Sequence, residues 1–430
     1  MSRPWLGHLL TYVSTVYGIG KKIKQAKDGK KKPQVLPSTI FCVMLLGFLF
    51  RMESFNQLNG WLHNGRFRKL LKGVRLPFID AIRESLRTYD LTVLQQTHQQ
   101  IFQQARRNRV LRQGTIGGYV VVGLDGVELF ESTKKCCEHC LSKEIDGVVH
   151  YFHRAVGCMT VGSDPHLVIG VESLHPKTDG SNKDEGELTG TKRLLKRLYQ
   201  EYHHFADVVV ADALYANAPF IETVLAIKMD AVIRIKDKRM HIVKDAMGMF
   251  QKRAADDRWV VEDPKPQANR QKRRARRIEV QAWDEDGFEM TGLSRTVRFL
   301  RFVETITETV YEGGKEKRRT VTKEVWVVTT LGKHVPASVI WEMIHKRWDI
   351  ENNGFRELKT KWHIDHCFMH QEQAIEAIMY FIVIAFNLFQ LFLFRRVQGF
   401  RELHMTQAMV VEEMRLQALT VETPLRWQLE

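Results

Sequence analysis

Apolar residues change their period several times along this chain, and each change predicts a change of element. Across residues 1–115 the apolar segments read as helical. Leu91–Arg106, rich in Gln, Leu and Arg, has helix-forming composition and no strand alternation, so a helical N-terminal domain is expected. At Gly118 the texture becomes Tyr119-Val-Val-Val-Gly-Leu-Asp125-Gly, an almost continuous β-branched run of the kind a buried central strand carries. Val148–Gly162 and His166–Leu174 read as two further strands, parted by the turn residues Gly-Ser-Asp-Pro. Asp184–Tyr202 sets Leu188, Leu195, Leu198 and Tyr202 at helical spacing, with acids early and bases later, as the helix dipole favours. Asp207-Val-Val-Val-Ala-Asp212 is another short strand ending in an aspartate, and Asn217-Ala-Pro219 reads as a helix start.

From about residue 231 to 333 the alternation of strand and helix is interrupted. Period-two runs (Ile278, Val280, Ala282, then Val297, Phe299, Arg301, Val303), a turn at Glu312-Gly-Gly-Lys315 and a strand at Val325–Thr330 predict a β-rich insertion. Val335–Trp362 is helical in pattern, with more helices after Gln371. The expected organisation is an α/β protein: a helical domain over 1–115, a core over 116–230, the insertion over 231–333, and the rest of the core with C-terminal helices over 334–430. Two apolar stretches invite a membrane reading. Ile40–Phe50 is too short to span a bilayer, and Ala377–Phe394 contains Asn387 and Gln390, so a buried core helix is expected there. With no cleavable leader in the first residues, the expectation is a cytoplasmic protein with no membrane partner.

Charge narrows the partner. Lys and Arg number 65 against 50 acids, a formal charge of +15, which favours a polyanion such as nucleic acid. The densest basic block is Arg270-Gln-Lys272-Arg273-Arg274-Ala-Arg276-Arg277, six bases in eight residues, for which phosphate contact is expected. A second basic group, Arg66, Arg68, Lys69, Lys72 and Arg75, lies in the helical domain. Six cysteines do not suggest a disulfide framework in a cytosolic chain, but Cys137 and Cys140 have the two-residue gap of a zinc knuckle. His150, His153 or Cys158 could complete such a structural zinc site.

Two strand-end aspartates, Asp125 and Asp212, followed by an acid on a later helix, form the arrangement by which a mixed sheet holds two Mg²⁺ or Mn²⁺ ions. Such a pair supports in-line phosphoryl transfer without a protein nucleophile. Asp349, Glu351, Glu357 and Asp365 compete for the third position. Helical spacing puts Ile344, Arg347 and Glu351 on one face and favours Glu351, with Arg347 placed to orient it or to hold a DNA phosphate.

Three segments carry a family resemblance: Val122-Gly-Leu-Asp125-Gly, Val210-Ala-Asp212-Ala-Leu-Tyr-Ala-Asn-Ala-Pro-Phe220, and Lys346-Arg347-Trp348-Asp-Ile-Glu351-Asn-Asn-Gly-Phe355-Arg-Glu-Leu-Lys359. On these the chain resembles bacterial insertion-sequence transposases of the DDE superfamily, in the group with a β-rich insertion before the catalytic glutamate. The resemblance implies an RNase H-like core, a helical N-terminal region that helps bind transposon ends, and cut-and-paste DNA transfer with Mg²⁺. It implies Asp125, Asp212 and Glu351 as the catalytic, metal-holding triad, Arg347 and Lys359 as DNA contacts, and a homodimer pairing the terminal inverted repeats before insertion into target DNA. Ile344 stands where that family has Tyr, and Lys359 follows Glu351 by eight residues rather than seven. A structure-selective nuclease without strand transfer and an inactive, transposase-derived DNA-binding protein are the rival readings.

Overall fold

A computed structural model describes residues 4–71, 73–176, 184–236, 241–251, 253–263, 273–312, 315–397, 399–400 and 405–420. The chain divides into two compact units. The first holds residues 1–113, 125–202 and 349–430, and the second holds 114–124 and 203–348. The expected mixed α/β architecture, with helices at both chain ends, is present.

In the first unit, helices Pro37–Leu49 and Leu91–Arg107 pack against the long helix Glu372–Arg395. By length and composition this is the one described helix able to cross a bilayer, yet 94% of its apolar window is buried inside the protein. Its rings interlock edge to face with those around it, Phe381 with Phe41 at 5.1 Å and Phe386 with Trp362 at 5.7 Å between centroids. The polar residues that break its apolar run have structural work. Asn387, fully buried, donates from Nδ2 to the Val168 carbonyl (2.8 Å) and accepts the Val168 N–H at Oδ1 (2.9 Å), meeting a buried N–H that would otherwise lack this acceptor.

That strand belongs to the unit's sheet, formed by the Asp125–Ser132 part of β1 (Val121–Ser132), β2 (Leu141–Ile145), β3 (Val148–Thr160) and β4 (Val168–Ser173), in the order β2-β3-β1 with β4 also on β3. Residues Asp146 and Gly147, both at positive φ (50° and 76°), form the two-residue turn joining β2 to β3, the backbone that a twisted hairpin favours. Helix Glu187–Tyr202 is fastened to β4 by Arg193 and Arg197, which both bind the Glu172 carboxylate and donate to the Ser173 and Val171 carbonyls.

In the second unit, residues Val121–Gly123 of β1 pair in parallel with β5 (Val208–Ala211), and β5 pairs in parallel with β6 (Asp230–Ile235). The wholly buried β-branched runs of β1 and β5 are what a two-sided parallel sheet requires. Beyond β6 the sheet turns antiparallel through β10 (Lys315–Thr329), β9 (Val297–Glu312), β8 (Arg273–Phe288) and β7 (Asp257–Asp263). These long strands fall within the 231–333 stretch expected to be β-rich, together with a helix, His241–Gln251, that the apolar pattern does not announce. The helix after β5 starts as expected, with the Asn217 side chain accepting the Phe220 N–H at 3.0 Å.

Candidate active site

Each of the two paired strands β1 and β5 runs on to an aspartate. The last paired positions are Gly123 and Val210, and Asp125 and Asp212 each follow two residues later. Both are half-buried at the end of a fully buried apolar run, and both have Oδ1 fixed by a nearby backbone N–H: Gly126 for Asp125 (2.9 Å) and Leu214 for Asp212 (2.8 Å). Asp212 thereby caps a single 3₁₀ turn, Ala213–Tyr215, and Lys236 Nζ lies 3.9 Å from its other oxygen. A Cβ on Gly126, the residue after Asp125, would displace the ends of the Arg154 and Glu187 side chains, which form an ion pair there. The unit division assigns Asp125 and Glu351 to the first unit and Asp212 to the second.

The segment bearing the third acid is less regular than its pattern suggests. Helix Ala337–Lys346 ends at Arg347, and Ile350–Phe355 is a π-helical turn that leads into helix Arg356–Trp362. Ile344, Arg347 and Glu351 were expected on one face of an unbroken α-helix, but helix Ala337–Lys346 stops before Arg347 and Glu351 sits in the π turn. The structure instead discriminates among the four competitors. The Asp349 carboxylate accepts the Gly162 N–H (3.0 Å) and the Asn353 amide (3.0 Å), and Glu357 is tied to Arg51 (3.4 Å) and Gln407. Burial pushes the Glu357 carboxyl up against the opposing pull of Arg51, whose own guanidinium burial lowers to about 10. Glu351 and Asp365 remain exposed.

The π turn is seated on β3 by two close approaches. A Cβ at Gly354 would fall 2.7 Å from the Met159 thioether, and one at Gly157 would fall 2.6 Å from the Phe355 ring. The turn also holds one residue more than an α-helical turn. Over a stretch containing one extra residue, an eight-residue interval presents the facing that seven gives in a regular helix. Lys359 is half-buried on the helix that follows.

The basic residues divide. Arg347 is buried at 5% exposure, its guanidinium lies 4.3 Å above the Trp348 ring, and its Nε finds no hydrogen-bond partner among the described residues. Arg270 and Lys272 lie outside the described residues, and Arg273 and Arg274 open strand β8. Arg276 and Arg277 stand 3.9 Å and 3.2 Å from Glu308 and Glu279, partners that a phosphate would have to compete with. In the N-terminal basic group, Arg66 covers the Trp61 ring at 4.6 Å and Lys69 donates to the Leu419 carbonyl.

A second cluster gathers in the first unit, where Cys137, Cys140, His153 and His370 bring one ligand atom each within 4.8 Å of one another, a set that could hold a metal ion. Of the three residues that could have completed the Cys-x-x-Cys pair, His153 does so. His150 instead pairs with Glu131, and Cys158 is enclosed in the core, its thiol pushed far up by burial. His370 was missed. The signal available was local density: His363, His366, Cys367 and His370 fall within eight residues. Burial, opposed by the Cys137 backbone, pushes the Cys140 thiol up to about 11, and burial followed by His370 and His139 lowers His153 to about 4, so both side chains are neutral when no cation is present.

The family model described as a transposase DDE domain matches residues 162–388, a span that includes Asp212 and Glu351 and begins after Asp125. A search of curated proteins finds no match.

Proposed function

The chain belongs to the transposase DDE family, and from that premise we propose that it cleaves DNA at the ends of a mobile element and joins the freed 3′-hydroxyls to target DNA. Members of this family are phosphoryl-transfer enzymes that act on DNA and generally use divalent metal ions. The proposal assigns metal holding to Asp125, Asp212 and Glu351. The observation that carries it is the strand register: Val121–Gly123 of β1 and Val208–Val210 of β5 pair in parallel, and two residues past each last pair stands an aspartate whose Oδ1 is already fixed by a backbone N–H.

The three carboxylates are hard oxygen donors and fit Mg²⁺ or Mn²⁺. Two such ions, when bound, supply Lewis acidity at the attacking and leaving oxygens of the phosphodiester. The chain's own contribution is positioning. Fixed carboxylate orientation at Asp125 and Asp212 lowers the reorganisation needed in the transition state. No side chain is assigned as nucleophile: first water, then the DNA 3′-hydroxyl, attacks phosphorus, and the P–O bond opposite it breaks. Arg347, Lys359 and the bases from Arg270 to Arg277 are assigned to DNA phosphates, and two copies of the chain are assigned to the two element ends. The proposal places this work in the bacterial cytoplasm, on nucleoid DNA.

The test is incubation of the full chain with a duplex of the terminal inverted repeat, a supercoiled target and Mg²⁺. Joined products are expected. Hydrolysis alone would leave the structure-selective nuclease, and intact DNA would leave a protein that only binds.

A further inference from the structure

Four side chains of the first unit converge on one point with the dimensions of a metal site, and no part of the DNA-cleavage reading uses them. The Sγ atoms of Cys137 and Cys140 are 3.6 Å apart, His153 Nε2 lies 3.3 Å from each, and His370 Nε2 lies 3.4 Å from Cys140 Sγ. A tetrahedral zinc with bonds of about 2.3 Å to sulfur and 2.0–2.1 Å to nitrogen has a sulfur–sulfur edge of about 3.8 Å and sulfur–nitrogen edges of about 3.6 Å. These four edges match that polyhedron within a few tenths of an ångström, and all four ligand atoms lie within 4.8 Å of one another. A disulfide would require the sulfurs at about 2.05 Å.

We propose that Cys137, Cys140, His153 and His370 form a structural zinc site. Three further observations support it. The Cys137 N–H points at Cys140 Sγ (3.3 Å), a hydrogen bond that can orient a thiolate ligand in the Cys-x-x-Cys turn. Cys140 and His153 are buried, at 9% and 8% exposure, and the Phe130 ring stands 5.2 Å from the His153 and His370 imidazoles, an apolar wall on one side of the set. Four protein ligands fill the coordination of zinc and leave no position open for a substrate water, which distinguishes a structural site from a catalytic one. Two sulfur and two nitrogen donors select zinc over the hard cations suited to Asp125, Asp212 and Glu351.

The consequence is a cross-link between distant parts of the chain. Cys137 and Cys140 lie between β1 and β2, and His153 lies on β3. His370 comes 230 residues after Cys140 and two before the core helix Glu372–Arg395. The segment from the π turn to that helix would thus be anchored at its far end to the β2–β3 hairpin.

The full chain, purified under reducing conditions, is expected to retain about one zinc per molecule. With Co²⁺ in its place, it should show the visible absorption of a tetrahedral site together with sulfur-to-cobalt charge transfer. Cys137→Ser and His370→Asn should each lose the metal, while Cys136→Ser, altering the exposed neighbour, should keep it. His370→Cys should keep the metal with stronger charge transfer, because it supplies a third thiolate, and this variant decides the matter if His370→Asn fails to fold by circular dichroism. Absence of bound zinc or cobalt in the unaltered chain, full retention in folded His370→Asn, or a Cys137–Cys140 disulfide found by mass spectrometry in the reduced protein would each overturn the proposal. Asp125→Asn should abolish DNA cleavage and leave zinc content unchanged, which separates failure here from failure of the transposase reading.

Discussion

Gly157 and Gly354 occupy the two sides of one contact, where the π turn carrying Glu351 lies on β3. Neither has a positive φ, so it is the absent side chain that each position needs. Gly157→Ala must push the Phe355 ring, and overpacking of this kind costs roughly 1–3 kcal/mol. The expected result is lower unfolding free energy in a denaturant titration, together with slower DNA cleavage, because the displaced residue is four positions from Glu351. Retained cleavage at lower stability would show that the acid tolerates movement of its turn. At the acids themselves, Asp125→Asn, Asp212→Asn and Glu351→Gln each remove a charge the proposal assigns to metal holding, and each should lower cleavage by about 10³-fold or more with little change in thermal stability. A comparable loss in Asp365→Asn, with Glu351→Gln active, would transfer the third role to Asp365.

Among the elements, helix Glu372–Arg395 and β4 are joined by the Asn387 clamp on Val168. Asn387→Ala leaves the Val168 N–H buried without its acceptor and should cost about 2 kcal/mol, read as a shift of the unfolding midpoint. His98, on helix Leu91–Arg107, donates to the same Val168 carbonyl at 2.8 Å and is fully enclosed. Burial, aided by Arg197 and opposed by that hydrogen bond, lowers its pKa from 6.5 to about 4. Between those values the unfolded chain takes up a proton that the folded chain refuses. Stability is therefore expected to fall as pH drops from 6.5 to 4, by at most about 3 kcal/mol from this group, with no further loss from it below 4. Denaturant titrations across that range should show a shallower decline in His98→Gln. These elements also mark what could be read in advance. The β-branched runs ending in Asp125 and Asp212 announced β1 and β5, because a two-sided buried strand tolerates little else. Strand β3 was legible as Val148–Gly162, whereas its hairpin partner β2 was hidden by a short, mostly exposed sequence, although Asp146-Gly147 marked the turn between them. The π turn was illegible because a one-residue insertion leaves the apolar pattern of Val335–Trp362 almost unchanged. The metal cluster was half legible: local spacing shows Cys137 and Cys140, but His370 reaches them only through tertiary folding.

For the whole molecule, 65 basic against 50 acidic residues predict that DNA binding is dominated by counterion release. Affinity for a duplex of arbitrary sequence should fall by about 10³-fold or more between 50 and 200 mM salt, measured by fluorescence anisotropy. A flat salt response would contradict the assignment of Lys359 and the Arg270–Arg277 block to phosphates. A magnesium chelator should stop cleavage and leave that binding in place, since Lys and Arg, not the acids, face the DNA in this reading. The first unit is assembled from three separated stretches of chain, 1–113, 125–202 and 349–430. Its core helix, Glu372–Arg395, lies in the last of them, so a nascent chain lacks the centre of this unit until that stretch has been made.

The π turn at Ile350–Phe355 has a consequence at the level of the gene. Because it stores a single additional residue, an in-frame deletion of one codon, at Asn352 or Asn353, is the smallest genetic change able to convert it to regular α-helix. Such a deletion would return the interval from Glu351 to Lys359 to seven residues while keeping both side chains on the same face. Two lineages could then differ by one codon in their most recognisable motif and still carry, on the same face, the acid proposed to hold metal and the base proposed to hold phosphate.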